Sequence, residues 1–327
     1  MSTPVVDAPR RGLTSWRPGP VALAGAVAVA LVIVGELVSP GFAGYGQLVN
    51  LTRVAAFLGV IAIGQTIVII AGGGGVDLSV GKVATFSAII GSRVMAGDDA
   101  NIVPAVALAL LVAAAIGLVN GLGVTLLRIP PFVMTLGMIG VVQGLILAYT
   151  GGQASGRAAP ALTSLVNGRV ILDLPGLLFL WLLLGLLAVW LLRRTTFGWN
   201  LFAVGANRTA AELTGVRVNR TLILAYVLSA TFAGLAGILL LGYTESVFLD
   251  LADQYMLPSV AAVVIGGTLL AGGIGGYAGT AVGAIVLTVL QGLLTTLDIG
   301  GAWRTVVNGV VLLVLLSLYG RQRRLRS

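Results

Sequence analysis

The chain has 327 residues, of which 58% are hydrophobic and only 9% are charged. Soluble domains carry about 25% charged residues, so this composition excludes a water-soluble globule of this length. Cysteine and histidine are both absent, which excludes disulfides, thiol nucleophiles, Cys/His zinc sites and imidazole catalysis. We therefore expect an all-α polytopic membrane protein with no catalytic residue and no metal site.

Ten apolar segments approach the length of about 20 residues that a helix needs to cross a bilayer core. They lie near residues 20–38, 54–73, 79–96, 102–127, 131–150, 174–192, 220–242, 257–272, 276–297 and 302–319. The segment 79–96 is the weakest, because it contains Lys82 and Arg93. The segment 257–272 is short and ends in glycine-rich sequence.

The basic residues predict the orientation, because cytoplasmic loops carry an excess of Lys and Arg. With both termini cytoplasmic, Lys82 lies near the inside and most arginines lie inside: Arg10, Arg11, Arg17, Arg128, Arg193, Arg194, Arg208, Arg217, Arg220, Arg321, Arg323, Arg324 and Arg326. The outside receives Arg53, Arg93, Arg157, Arg169 and Arg304, with most acidic residues: Asp98, Asp99, Asp173, Glu245, Asp250, Asp253 and Asp298. The net charge of +8 therefore reports topology and not a nucleic-acid partner.

This orientation requires an even number of spans and predicts a multi-pass membrane protein with both termini cytoplasmic, in contact with membrane lipid. The expected organisation is a cytoplasmic tail over 1–19, a transmembrane domain over 20–319 and a basic cytoplasmic tail over 320–327. The one sizeable cytoplasmic loop is near 193–219, which leaves no room for an ATPase domain.

The glycine-rich stretch 72–83 contains the Gly-Lys pair of a phosphate-binding loop, but Val83 stands where that motif needs Ser or Thr to hold magnesium. We expect a turn between two membrane helices, in which the glycines permit positive φ. Asp77 or Ser79 is then expected to cap the next helix. The loop with Asp77, Ser79 and Gly81 either only reverses the chain or takes part in gating.

Several motifs occur in an order that resembles the ribose-type ABC transporter permeases, from about residue 50 to residue 320. They are 76–81 (Val-Asp-Leu-Ser-Val-Gly), 127–137 (Leu-Arg-Ile-Pro-Pro-Phe-Val-Met-Thr-Leu-Gly), 150–153 (Thr-Gly-Gly-Gln), 194–198 (Arg-Thr-Thr-Phe-Gly), 203–207 (Ala-Val-Gly-Ala-Asn), 261–268 (Ala-Ala-Val-Val-Ile-Gly-Gly-Thr) and 272–275 (Gly-Gly-Ile-Gly). The chain departs from the family at Lys82, where a small residue is usual. It departs again over 253–258, in place of a stretch that often ends in a Glu-Leu pair.

The resemblance implies the permease fold of the ribose-type and vitamin B12-type importers and a location in the bacterial inner membrane. It implies two permease subunits, identical or different, on two cytoplasmic ATP-binding cassette domains that hold ATP and magnesium. A solute-binding protein would dock outside, and this chain would bind no cofactor itself. The implied solute is a monosaccharide. Nucleosides and branched-chain amino acids remain alternatives, because relatives of this architecture carry them.

The cytoplasmic loop contains a candidate coupling element. Thr209 is expected to cap a short helix, Glu212 completes a capping-box pattern and Gly215 ends the helix. An isolated helix of two turns is marginal in water, and the resemblance implies that an ATPase groove receives it. The predicted coupling residues are Gly205, Asn207, Thr209, Ala210, Glu212, Leu213 and Gly215. The alternative is an ordinary solvated loop.

A hydrophilic solute needs polar groups within the bundle, and polar residues in spans face helices or cavities. The candidates are Gln65, Thr66, Asn120, Thr135, Gln143, Thr231, Gln291 and Asn308. Hydrogen bonding between helices is the alternative for each of them. Glu36 and Arg93 lie near span ends, and we expect no carboxylate deep in the spans, which disfavours an ion-coupled carrier using Glu36 or Asp77. A membrane enzyme is disfavoured by the missing His and Cys.

Overall fold

The computed structural model describes residues 19–304, 306–307 and 309–310. The helices are α1 (Pro20–Val38), α2 (Tyr45–Ile70), α3 (Val80–Met95), α4 (Ile102–Thr125), α5 (Pro131–Thr150), α6 (Pro160–Asn167), α7 (Gly176–Arg194), α8 (Thr196–Ala206), α9 (Arg208–Leu213), α10 (Val218–Thr244), α11 (Met256–Ile265) and α12 (Tyr277–Thr296). Short 3₁₀ turns cover Asp99–Asn101 and Asp253–Tyr255, and an antiparallel pair joins β1 (Arg169–Ile171) to β2 (Leu174–Pro175). The all-α polytopic fold is therefore confirmed.

Seven helices in the described part are long and apolar enough to cross a membrane: α1, α2, α4, α5, α7, α10 and α12. Two further predicted spans form shorter helices, α3 with 16 residues and α11 with 10. Most of the predicted span 302–319 lies outside the described residues, as do the tails 1–18 and 320–327. The structure thus supports a many-span bundle but does not confirm a count of ten.

Helices α2 and α10 form the centre of the bundle. Every residue of α2 from Ala55 to Ile70 is buried, and α10 packs against α2, α3 and α4. The outer helix α7 shows the opposite pattern, because Leu182, Leu183 and Leu186 are each about 60% exposed. Large apolar side chains on the outside of a bundle are the arrangement expected where the surrounding solvent is lipid.

Glycines bring the central helices into backbone contact. A Cβ on Gly64 of α2 would meet the Ser229 Cα of α10 at 2.5 Å, and one on Gly237 of α10 would overlap the Ala84 carbonyl oxygen of α3. Small residues at such crossings let membrane helices approach closely. Because the hydrophobic effect does not drive helices together within lipid, the resulting van der Waals packing helps to stabilise the bundle.

The two ends of the bundle differ in their connections. One end, here called the α9 end, carries the connections 126–130, 195–217 and 266–276, and the opposite or distal end carries 39–44, 96–101 and 151–175. Arginines predicted to lie outside are found at the distal end. Arg53 lies over the Tyr243 ring and contacts Asn167. Arg93 donates a 2.7 Å hydrogen bond to the Tyr149 carbonyl. The charge pattern therefore agrees with the arrangement of the helices.

Candidate functional site

The short helix α9 forms where the sequence predicts a coupling helix, but its cap differs from the prediction. Asn207 is the N-cap, and its Oδ1 accepts a 3.0 Å hydrogen bond from the Ala210 amide. Thr209 lies inside the helix, so its assignment as the cap is wrong. The chain leaves α9 through Gly215 at φ +86°, and the Gly215 amide donates to the Glu212 carbonyl at 2.9 Å, as expected.

One side of α9 rests on the bundle and the other points away from it. Ala211 is buried, whereas Leu213 is 85% exposed. Beside α9 is a cavity of about 680 Å³ whose lining includes Arg128, Arg208, Arg217, Arg220 and Glu212. The α9 end therefore presents an exposed apolar side chain next to a strongly basic cavity.

Three glycine-containing segments meet directly behind α9, at what we call the glycine junction (Gly72, Gly205, Gly272 and Gly273). The Gly273 amide donates a 2.9 Å hydrogen bond to the Ile70 carbonyl at the end of α2. A Cβ on Gly72 would lie 3.0 Å from the Gly205 Cα, and one on Gly205 would overlap the Ile70 carbonyl oxygen. The backbones after α2, within α8 and after α11 are therefore in direct contact.

Arg208, the first residue of α9, links that helix to the junction. Its Nη2 donates a 3.5 Å hydrogen bond to the Gly72 carbonyl, and the guanidinium lies against Gly73. Gly72 has φ +73°, a conformation that L side chains rarely adopt. The turn that follows α2 thus contacts α9 through the Arg208 side chain and α8 through the backbone of Gly205.

The Asp77 loop continues from this turn into the bundle. The Asp77 carboxylate is fully buried and accepts hydrogen bonds from the Ser79 amide at 3.0 Å, the Ser79 hydroxyl at 2.6 Å and the Ser229 hydroxyl at 2.9 Å. Asn120 Nδ2 donates to the Ser79 oxygen at 3.0 Å. The side chain of Ser79 does not cap α3, whereas Asp77 does bind a backbone amide near the start of that helix.

The position of Asp77 corrects one expectation. Ser229 lies close to the middle of α10, so its partner carboxylate is deep within the bundle. The argument that no carboxylate is placed deep in the spans is therefore wrong. No ion pair joins Asp77 to a Lys or Arg of the described residues; hydroxyl and amide donors stabilise it instead, which is how a buried carboxylate avoids a large desolvation cost.

Other predicted residues belong to the surroundings of the same loop. Thr135 Oγ1 donates to the Val76 carbonyl at 3.3 Å as well as to Pro131 within its own helix. A Cβ on Gly81 would lie 3.1 Å from the Ala252 carbonyl oxygen. Asn120 and Thr135, predicted as path residues, are thus contacts of the Asp77 loop in this structure.

Lys82 and Asp253 form an ion pair with an Nζ–Oδ2 distance of 2.6 Å. The orientation argument placed Lys82 near the inside and Asp253 outside, and the pair shows that the two residues lie at the same depth. The chain after α10 therefore turns back into the bundle before α11 begins, and the Ala252 amide donates to Thr85 Oγ1 at 3.0 Å. The two positions at which the chain departs from the family motifs, Lys82 and 253–258, are therefore in direct contact.

The remaining path candidates are spread over the bundle. Thr66 Oγ1 lies 2.9 Å from Thr280 Oγ1, a contact between α2 and α12. Both amide atoms of buried Gln65, and Oε1 of Gln143, have no hydrogen-bond partner within the described residues. Thr231 bonds to its own helix at Val227. Asn308 lies outside the described residues.

A second cavity, of about 450 Å³, lies toward the distal end between α2, α12 and the chain around α11. Its lining includes Tyr243, Gln254, Tyr255, Thr288, Gln291 and Arg304. Of the predicted path residues that the structure describes, only Gln291 lines it. Gln254 and Tyr255 belong to the stretch 253–258 that departs from the family, but they were not predicted as path residues because they lie at or before the start of an apparent span.

Comparisons with known proteins identify the family. A family model described as the permease component of branched-chain amino acid transport systems matches residues 47–316. The chain is 33% identical over 295 residues to the ribose import permease RbsC of Escherichia coli strain K12, covering 89% of this chain and 90% of the relative. The chain belongs to the ribose-type ABC transporter permease family. No solved structure matches.

Two further relatives agree with this family. RbsC of Bacillus subtilis strain 168 is 34% identical over 264 residues, 80% of each chain. The galactose/methyl galactoside import permease MglC of Escherichia coli strain K12 is 30% identical over 296 residues, 85% of this chain and 87% of the relative. The chain is thus the membrane permease of an ABC importer, a multi-pass inner-membrane transport protein.

The permease motifs acquire a physical meaning from the fold. Residues 203–207 and 272–275 supply Gly205, Gly272 and Gly273 to the glycine junction, and residues 76–81 supply the Asp77 loop directly beyond it. Segments that are far apart in the chain therefore share one contiguous site, which runs from α9 to the middle of α10.

Proposed function

We propose that this permease carries a monosaccharide through a path formed with a second permease subunit. Two partner ATP-binding cassette domains would hold ATP and magnesium at the α9 end, and a solute-binding protein would deliver the solute at the distal end. The support for a sugar is that the relatives named above are ribose and galactose permeases.

The observation that carries this proposal is the direct contact between α9, the glycine junction and the Asp77 loop. Movement of α9 by a partner displaces Arg208 and Gly205, which contact Gly72. The loop that follows Gly72 holds Asp77 against Ser229 of α10. A movement of α9 would therefore reach the middle of α10 through these contacts, as a permease without its own ATPase requires.

The exposed part of the α9 end fits a docking surface for the ATPase. Leu213 is almost fully exposed on a helix too short to be stable alone, so a partner groove that covers it would stabilise both. The predicted coupling residues Gly205, Asn207, Ala210, Glu212 and Gly215 either shape α9 or connect it to the bundle. The α9 end would accordingly be cytoplasmic, with both chain termini on the same side.

The distal cavity suits a neutral hydrophilic solute. Its volume is within the range of about 300–1,000 Å³ typical of small-molecule sites. Tyr243 and Tyr255 offer aromatic faces, while Gln254, Thr288 and Gln291 offer hydrogen-bonding groups. A branched-chain amino acid is the second candidate, favoured by the description of the matching family model. Arg304 of the lining can pair with its carboxylate, but no Asp or Glu among the described lining residues is placed to pair with its ammonium group.

Reconstitution tests the proposal. The permease would be placed in proteoliposomes with its ATPase and solute-binding protein, and uptake of labelled ribose, galactose, leucine and a nucleoside would be measured with and without ATP. We expect sugar uptake that requires ATP and is unaffected by a protonophore. Uptake of leucine but no sugar would favour the amino-acid alternative. Uptake by the permease alone, driven by a proton gradient, would refute the ABC-importer mechanism.

A further inference from the structure

The Lys82–Asp253 pair has an unusual exposure for charged groups in a membrane bundle. In the single chain the Lys82 side chain is 14% exposed and that of Asp253 is 38% exposed. The next residue, Gln254, is also exposed and lines the distal cavity. Three polar side chains therefore reach the surface of the bundle together.

The depth of the pair follows from its neighbours on α10. Ser79 is tied through Asp77 to Ser229, which lies fifteen residues before the end of α10 at Thr244. Ala84 contacts Gly237, seven residues before that end. At 1.5 Å per residue these positions are about 22 and 10 Å from the distal end of α10. Lys82 lies between them in sequence, hence within a hydrocarbon core about 30 Å thick.

Charged side chains at this depth do not face lipid, because transfer of a charge into hydrocarbon costs several kcal/mol. We propose that Lys82, Asp253 and Gln254 line the water-filled solute path of the permease and form a polar contact for a neutral, polyhydroxylated solute. The identity of that solute rests on the proposed function, whereas the water-filled path does not.

The chemistry of the pair suits such a solute. The Lys82 ammonium has three donors and the carboxylate has several acceptor positions, of which only the Oδ2–Nζ contact is made. Oδ1 of Asp253 lies beneath the surface and has no hydrogen-bond partner in the part of the chain that the structure describes. The Lys82 ammonium and Oδ2 of Asp253 therefore have hydrogen-bonding positions left for hydroxyl groups, while the pair's net charge of zero favours no ion.

The test uses the natural absence of cysteine, so that Gln254→Cys supplies a unique thiol. Full-length permease in liposomes would be treated with a cationic and an anionic methanethiosulfonate reagent, neither of which crosses lipid. Leu186→Cys, on the lipid-facing side of α7, is the unreactive control, and Gln153→Cys, in the exposed distal connection, is the water-exposed control. We expect Gln254→Cys to react at a rate nearer to that of Gln153→Cys.

The charges of the pair should then control which reagent reacts faster. Asp253→Asn in the Gln254→Cys background leaves Lys82 unpaired, and we expect the anionic-to-cationic rate ratio to rise about tenfold, because a unit charge some 6 Å away in water shifts each rate about threefold in opposite directions. Lys82→Gln should lower the ratio by a similar factor. Neither change should alter the ratio at Gln153→Cys.

Two results would overturn the inference. One is a Gln254→Cys thiol as unreactive as Leu186→Cys, which would mean that the pair is sealed in a subunit interface. The other is a rate ratio that neither charge variant changes. Labelling requires neither ATPase nor transport, so labelling as expected without any sugar uptake would refute the proposed function alone. Protection of the thiol by ribose, and not by leucine, is the expected mark of a sugar path.

Discussion

Substitutions of Asp77 test whether its carboxylate has a structural role, as a hydrogen-bond acceptor, or a role in ion coupling. Asp77 is fully buried and accepts three hydrogen bonds from two serines. Asp77→Asn keeps an oxygen for the Ser79 donors, and its new NH₂ group can donate to the Ser229 hydroxyl after that hydroxyl rotates. Asp77→Ala removes every acceptor, which leaves the Ser79 amide and the two hydroxyls to find other partners or none.

The magnitudes differ enough to measure. A buried donor left without a partner costs about 1–3 kcal/mol, and serine hydroxyls can turn toward other acceptors, so we expect Asp77→Ala to lower the free energy of unfolding by about 3 kcal/mol. For Asp77→Asn, weaker neutral hydrogen bonds replace charge-assisted ones, but a buried charge is also removed. The expected net loss is about 1 kcal/mol or less.

The assay pairs thermal unfolding of the purified permease with ATP-driven uptake in proteoliposomes. Asp77→Asn should unfold at nearly the same temperature as the parent protein and retain most of its ATP-driven uptake. Asp77→Ala should unfold at a lower temperature and lose uptake in proportion to its loss of stability. Ser229→Ala, which removes one donor and leaves the carboxylate with two, should fall between them. If Asp77→Asn folds normally yet abolishes uptake, the negative charge itself is required, and the reasoning from hydrogen bonds is refuted.

Two further changes test the route from α9 into the bundle. Gly205→Ala places a methyl group against the Ile70 carbonyl, and because overpacking of this kind costs about 1–3 kcal/mol, we expect at least a tenfold loss of ATP-driven uptake. The control is Gly25→Ala, where a Cβ meets nothing within 4 Å, and it should change neither uptake nor unfolding temperature. Equal effects of the two variants would contradict the role of the glycine junction. Asn207→Ala removes the N-cap of α9 at a cost of about 1 kcal/mol and should reduce ATP-driven uptake while protein yield is retained. Thr209→Ala is the matched control. A larger loss of uptake in Thr209→Ala than in Asn207→Ala would mean that the cap is misassigned.

The sequence predicts the helices and motifs well because hydropathy is a local property. Nine predicted segments between 20 and 297 each contain a helix, and the permease motifs alone indicate the family that the comparisons confirm. The position of α9 was also predictable, since N-cap candidates precede it and Gly215 follows it, which are start and stop signals of a helix.

Depth within the membrane was not predictable in the same way. A hydropathy reading assigns Asp253 to an outer loop because the residue lies between two spans, and it cannot show that the chain turns back to meet Lys82. The predicted cap of α9, Thr209, was wrong for a related reason. Asn207 and Thr209 are both good N-cap residues, and the choice depends on where α8 ends against the glycine junction, which is a tertiary contact.

The glycine junction supports the proposed coupling of this permease to a partner ATPase. Side chains at a contact absorb small displacements by changing rotamer, whereas close-packed backbones transmit them. Where Gly205 meets Ile70 and Gly72, no side chain separates the segments. A shift of α9 must therefore move either the end of α2 or the Asp77 loop, and α2 is buried over its last sixteen residues. In the proposed coupling the turn after α2 is the part expected to move, because Gly73 and Gly74 are exposed, and the hydrogen bond of Asp77 to Ser229 would carry that movement to α10.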